Sequence, residues 1–339
     1  MPALSILDLV LVVHGTDPGD ALRRSASLAQ HAENLGYTRY WIAEHHNMVG
    51  IAGAATAVVV GHIAGATKTI RVGSGGVMLP NHPPLVIAEQ FGTLESLYPG
   101  RIDLGLGRAP GTDGMTLRAL RRNPNLADQF PQDVLELQAL LGPVGPNQMV
   151  QAVPGGNTNV PIWILGSSTF GAHLAAALGL PYAFAAHFAP QDLLPAMQVY
   201  RQQFQPSEQL AKPYAMVCIN AVAADTDARA RYLFTSLQQA FTNMVRGTRG
   251  KLQPPIDDIE TYWTPMEKAH AAGMLTHSYV GLAATITADL QKLIDLTGAD
   301  ELMISSGIYD HQARLDSYAI MAEVGARLNA HPAPLMRSA

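Results

Sequence analysis

Short apolar runs alternate with longer stretches of helical periodicity almost from end to end of the 339-residue chain. The runs predict strands over residues 6–13, 39–43, 70–77, 102–106, 161–165, 182–186, 214–222 and 301–305. Apolar positions recurring every three or four residues predict helices over 21–35, 54–67, 85–97, 127–141, 170–178, 191–204, part of 282–297, and 315–328. Eight such alternations imply a parallel sheet, and with eight the closed (β/α)8 TIM barrel is favoured over an open doubly wound sheet. Asp20 reads as the cap of the first helix and Gly36 as its stop. Two segments exceed the barrel plan. Residues 142–160 are rich in Gly, Pro and Asn and join a helix to the next strand. Residues 225–281 follow the seventh strand, on the face where barrels keep their chemistry, and predict a lid roofed by Tyr262, Trp263 and Pro265. With no repeat and no linker, residues 1–339 read as one domain.

Composition narrows the class. Apolar residues make up 48% and charged residues 14%, enough for a large core. The net charge of -5 is spread out, and no Lys/Arg cluster marks a face for nucleic acid or membrane. The single cysteine, Cys218, excludes an intrachain disulfide and lies in an apolar run that predicts a buried, inert thiol. The first thirteen residues lack a basic leader and contain Asp8, and residues 51–66 are too short to span a membrane. The expectation is a soluble cytoplasmic protein.

Small and polar residues collect where the predicted strands end. The second ends in Glu44-His45-His46, the third carries Gly75-Gly76, and the fourth runs into Gly107-Arg108. The fifth ends in Gly166-Ser167-Ser168, the sixth near His187, the seventh at Asn220, and the eighth in Ser305-Ser306. A Gly-Ser-Ser-Thr run opening a helix presents free N–H groups, a natural phosphate site to which Arg108 can add a charged contact. An ordinary helix cap beside a surface arginine has the same sequence. Gly75-Gly76 within a strand predicts a bulge or a closely approaching ligand. His45 and His46, adjacent on extended backbone, point to opposite sides and cannot easily grip one ion, and no HxH or HExxH spacing occurs. No metal site is expected. A histidine poised for proton transfer is the better reading.

The stretches from Leu35 through Glu44-His45-His46, from Ala66 through Val72-Gly73-Ser74-Gly75-Gly76 to Pro80, Asn81-His82-Pro83-Pro84, Ala88-Glu89-Gln90, and from Pro99 through Gly105-Leu106-Gly107-Arg108 to Asp113 together resemble the bacterial luciferase-like monooxygenases. The resemblance is strong over residues 35–113 and weaker in the lid. It implies reduced FMN across the C-terminal rim, with Gly75 and Gly76 at a bulge beneath the ring, often with a cis peptide. It places the phosphate near Arg108, Ser167 and Ser168, makes Gly107 and Gly166 further cofactor-binding residues, and makes His45 a general base oriented by Glu44 and His46. Two departures separate this chain from the light emitters. Gly107 stands where the luciferase alpha chain has cysteine, and the fifth-strand motif is Gly-Ser-Ser rather than Glu-Ser-Ala-Ser.

The reading is an FMN-dependent, two-component monooxygenase acting on a small aldehyde, ketone or other apolar substrate. FMNH2 would come from a separate flavin reductase, since no GxGxxG fingerprint follows a strand, and a homo-oligomer is expected. The alternatives are a non-catalytic flavin-binding protein, a deazaflavin-dependent enzyme of the same fold, and a barrel lyase or isomerase using a phosphorylated substrate.

Overall fold

A computed structural model describes residues 2–109 and 113–330. The Pro110-Gly111-Thr112 part of the family motif lies outside the described residues. Nine strands form one sheet: β1 (Ala3–Asp8), β2 (Arg39–Ile42), β3 (Arg71–Met78), β4 (Ile102–Gly107), β5 (Ile162–Gly166), β6 (Tyr182–Phe184), β7 (Ala215–Ala223), β8 (Ser278–Gly281) and β9 (Glu301–Ser305). All pairings are parallel, and contacts of β6 with β7 and of β9 with β1 close an eight-stranded TIM barrel that excludes β8. Helices α1 (Pro18–Asn34), α2 (Thr56–Ala66), α3 (Pro84–Leu97), α4 (Gly114–Ala119), α5 (Phe130–Leu141), α6 (Thr169–Leu178) and α7 (Leu193–Gln203) lie between successive strands from β1 to β7. After β7 come α8 (Asp227–Val245), α9 (Pro265–Met274), α10 (Ala283–Thr297) and α11 (His311–Ala330). Among the described residues, no helix is long and apolar enough to cross a membrane.

Strand alternation builds two cores. Ile6, Tyr40 and Ile42 face the helices, whereas Leu7, Trp41 and Ala43 face the barrel interior with Trp163, Met216, Cys218 and Met303. Trp41 meets Trp163 edge to face at 5.1 Å. Cys218 is buried, and burial pushes its thiol up, as an inert core cysteine requires. Below the tryptophans lies a charged floor. Arg39 donates to Asp103 at 2.9 Å and to Glu301 at 3.0 Å. Arg71 and the Trp41 indole also donate to Asp103, at 2.6 and 3.1 Å, and the Tyr214 hydroxyl donates to Glu301 at 2.9 Å. Ser5 bonds to Glu301 as well. Burial works against the Arg39 charge, yet Glu301 and Asp103 raise its pKa.

Two sequence expectations change. The first strand ends at Asp8 rather than residue 13 because Val10 takes a left-handed φ of 53°, which stops a strand. The Asp8 carboxylate accepts from the Val10 N–H and from Arg314, each at 2.9 Å, fixing that turn. Asp17, not Asp20, caps the first helix, accepting from the Asp20 N–H at 2.8 Å. Residues 225–281, expected as a single lid insertion, contain α8, α9 and β8. Strand β8 pairs with β7 from Asn220 to Ala223, beyond the point where three-residue β6 ends, and covers an otherwise open edge. Tyr262 and Trp263 bond within the insertion, to Asn243 at 2.8 Å and Glu260 at 3.1 Å, and Pro265 opens α9.

The floor yields a stability prediction. Asp103→Ala leaves Arg71 without its carboxylate and Arg39 with Glu301 alone, and breaking one side of a buried pair costs about 3–5 kcal/mol. Urea denaturation of the variant should show a loss of this size. A loss under about 1 kcal/mol would mean that the floor does not hold the barrel together.

Candidate active site at the C-terminal rim

The strand ends converge on the rim as the sequence implies. At the end of β2, Glu44 is buried and its Oε1 accepts from two imidazoles, His46 Nε2 at 2.7 Å and His82 Nε2 at 2.8 Å. Its Oε2 accepts from the Met78 N–H at 3.2 Å. Burial opposes the charge, but the two histidine hydrogen bonds hold the Glu44 carboxyl below its usual range, and the Glu44 bond raises His46. The expectation that Glu44 and His46 orient His45 is corrected. Residues two apart on extended backbone share a side, so Glu44 pairs with His46, and His45 turns the other way. His82 joins because the 3-10 turn Leu79–Asn81 carries the chain back towards β2. His82 stands in the Asn81-His82-Pro83-Pro84 motif, where nothing local marks it as a partner of Glu44.

His45 has its Nδ1 enclosed with no hydrogen-bond partner. Burial, with Arg249 as the next cause, lowers its pKa, so the ring is neutral near pH 7. His187 at the end of β6 also has an enclosed, unpartnered Nδ1, and burial together with His45 pushes its pKa down to about 3. Asn220 on β7 donates to the His187 carbonyl at 2.6 Å. The rim thus holds two neutral imidazoles with unused hydrogen-bonding capacity, the state required for accepting a proton.

One part of the insertion, residues 249–252, packs against the loop after β1. Leu252 exchanges backbone hydrogen bonds with Val12 and His14 at 3.0 and 2.8 Å. The Lys251 ammonium donates to the Thr16 carbonyl at 2.6 Å. A Cβ on Gly50 would meet the Gly250 carbonyl at 2.1 Å, so the two backbones touch. Arg249 is carried on this segment, close enough to His45 to depress its pKa.

Gly75 and Gly76 form the expected bulge: Ser74 pairs with Leu104 and Val77 with Leu106, three steps on β3 against two on β4. The Gly75-Gly76 peptide is cis. Glycine is required here by the protein itself. A Cβ on Gly76 would lie 2.7 Å from the Gly105 carbonyl oxygen, and one on Gly75 would lie 2.6 Å from Leu7 and 3.1 Å from Trp41. Gly107 is less constrained, its nearest neighbour being the flexible Met78 sulfur at 3.3 Å.

The phosphate candidates also come together. Ser168 is the N-cap of α6, but its side chain makes no capping bond, so the first N–H groups of a ten-residue helix remain unclaimed by it. The Arg108 guanidinium lies over the Phe170 ring at 4.0 Å, at the second residue of α6. Gly166 and Gly171 approach so closely that a Cβ on either would stand 3.4–3.5 Å from the other's Cα. The helix start is therefore drawn against the end of β5. A cation, free N–H groups and the Ser167 and Ser168 hydroxyls at one helix start form a donor set suited to a phosphate monoester. On that chemistry the residues present fit FMN.

A closed barrel with its polar residues at the C-terminal ends of the strands is the class of fold that carries cofactor-dependent oxidoreductases among many others. The profile of the luciferase-like monooxygenase family matches residues 6–299, and the chain belongs to that family. It is 52% identical over 327 residues to a luciferase-like monooxygenase of Escherichia coli K12, covering 96% of this chain and 98% of the relative. The structure of apo-MsnO8 superposes with a TM-score of 0.89 at 34% identity, covering 96% of this chain and 99% of that one. Two more distant structures share the fold: an FMN-bound type II Baeyer-Villiger monooxygenase from Pseudomonas putida, at TM-score 0.70 and 16% identity, and an F420-dependent secondary alcohol dehydrogenase, at 0.67 and 17%. They cover 95% and 96% of this chain, and 97% and 98% of their own.

Gly76→Val tests the bulge. Its side chain must displace the backbone of β4, and overpacking of this kind costs about 1–3 kcal/mol. The melting temperature should fall accordingly. Wild-type melting would show that β4 yields without cost.

Proposed function

We propose that this chain is an FMN-dependent monooxygenase that receives FMNH2 from a separate reductase and acts on a small aldehyde, ketone or other apolar substrate. The observation that carries the reading is the start of α6, where Arg108 stacked on Phe170 faces an uncapped helix terminus at the rim. Family membership supports oxygenase chemistry. Reduced flavin, when bound, supplies the electrons for activating O2, and the protein supplies the rest. Arg108, Ser167, Ser168 and the α6 N–H groups hold the phosphate. The bulge at Gly75-Gly76 and the open side of Gly107 leave room for a flat ring beside β3 and β4. His45 takes up or returns a proton at the rim, and the segment from Arg249 to Leu252 limits the access of water.

The test is a titration of the purified chain with FMN and, separately, with the deazaflavin F420, followed by oxygen consumption with FMNH2 over a panel of aldehydes and ketones. Tight FMN binding with substrate-dependent oxygen uptake supports the proposal. Preference for F420, or flavin binding without turnover on any carbonyl compound, overturns it in favour of the alternatives above.

Two substitutions separate binding from chemistry. Arg108→Ala should weaken FMN by about 1.5–3 kcal/mol, the scale of a hydrogen bond to a charged group, as read by fluorescence quenching. Unchanged affinity in the folded variant would move the phosphate elsewhere. His45→Ala should leave FMN affinity nearly intact and cut turnover by about 10²–10⁴, the scale of general acid–base catalysis. Should turnover survive, His187 becomes the group to examine.

A further inference from the structure

We infer that Glu44, His46 and His82 form a binding site for one divalent cation of the zinc class, built into the rim beside His45. The three side chains each offer a ligand atom, and these atoms all lie within 4.8 Å of one another. Both imidazoles aim Nε2 at a single oxygen, Glu44 Oε1, at 2.7 and 2.8 Å. Ligands on one zinc ion, with bonds of about 2.0–2.1 Å, stand roughly 3 Å from one another, so a small opening of the present contacts admits the ion. The cation takes the place of two N–H hydrogens pointing at the same carboxylate oxygen. An imidazole that binds the ion through Nε2 carries its ring proton on Nδ1.

Three further features favour a cation over a plain hydrogen-bonded triad. The second carboxylate oxygen is already held by the Met78 N–H at 3.2 Å, the kind of outer contact that fixes a ligand's orientation. The Glu44 side chain is 2% exposed, so it is a buried carboxylate whose charge a cation at this point would offset. His46 and His82 are 16% and 26% exposed, which leaves a solvent side for the ion to arrive by and for water to complete its shell. Two imidazoles and one carboxylate suit zinc, copper, nickel or iron, and suit magnesium or calcium poorly. Because Glu44 and His46 follow β2 while His82 follows β3, the ion would clip together the ends of two strands that flank the bulge. The absence of HxH or HExxH spacing does not bear on this set, since its third member comes from a separate turn.

The experiment uses the whole chain, stripped with EDTA and dialysed free of metal, with ZnCl2 titrated by calorimetry. We expect one ion per chain with micromolar or tighter affinity, unaffected by excess Mg2+. His82→Ala, checked for folding by circular dichroism, should weaken zinc by about 100-fold or more, since even outer partners of a metal site cost 10–100-fold. The wild-type chain loaded with one equivalent of Cu2+ should show superhyperfine coupling to two imidazole nitrogens in its electron paramagnetic resonance spectrum, a readout that needs no variant. No zinc binding up to millimolar concentration, unchanged affinity in folded His82→Ala, or fewer than two coupled nitrogens would each overturn the site. None of these readouts involves flavin, so their failure is distinct from failure of the proposed function.

Discussion

The arrangement of the molecule depends on Arg39, held between Asp103 and Glu301 inside the N-terminal end of the barrel. Three charges buried there would be costly if any one were unmatched, and together with Arg71, Ser5, Tyr214 and the Trp41 indole they satisfy one another. The floor closes one mouth of the barrel. Above it, Trp41 and Trp163 fill the interior edge to face, with Arg39 over the Trp163 ring at 4.7 Å. A ligand cannot reach the centre from below, so whatever chemistry the chain performs is confined to the opposite end.

At that end glycines set backbone against backbone, closer than a Cβ would permit at Gly76 and Gly50 and in ordinary van der Waals contact at Gly166. Gly76 stands against Gly105, Gly166 against Gly171, and Gly50 against Gly250. Each contact does a separate job: the first bends β3 at its bulge, the second seats the start of α6 on β5, and the third draws the insertion onto the loop after β2. Glycine carries an entropic cost in a strand. Here that cost is offset by backbone contact that leaves the rim with exposed N–H groups and little side-chain bulk.

The barrel was legible because each buried parallel strand is a short apolar run and each surface helix repeats every three or four residues. All eight barrel strands lie at or overlapping their expected places. What was not legible has a common physical cause: it depends on where the chain turns in space. Nothing local in the run 6–13 announces that Val10 adopts a left-handed conformation, and the partner that holds the turn, Arg314, lies at the far end of the chain. Strand β8 is four residues long and is stabilised by the edge it covers rather than by its own pattern. The charged floor is assembled from β2, β3, β4 and β9, so its members read individually as strand-end polar residues. In the site, the period-two rule that separated His45 from His46 also pairs Glu44 with His46, and only the turn at Leu79–Asn81 reveals His82 as the third member. Phe170 read as an apolar helix residue, and its use as a shelf for Arg108 appears only once α6 is seated on β5.

The division of the three histidines at the rim follows from one carboxylate. Glu44 accepts from two imidazoles, His46 and His82, and His45 is left outside this contact with its Nδ1 unpartnered. Strands β2 and β6 are four steps apart in either direction around an eight-stranded barrel, so the rings that follow them approach from opposite sides. His45 is near enough to His187 to disfavour its protonation, being the second cause, after burial, of the lowered His187 pKa. Two enclosed imidazoles that cannot both be charged will stay neutral at pH 7, and a neutral imidazole can both accept and donate. The rim therefore keeps its hydrogen-bonding capacity for a guest, while Glu44, the residue before His45, carries the local negative charge in a contact of its own.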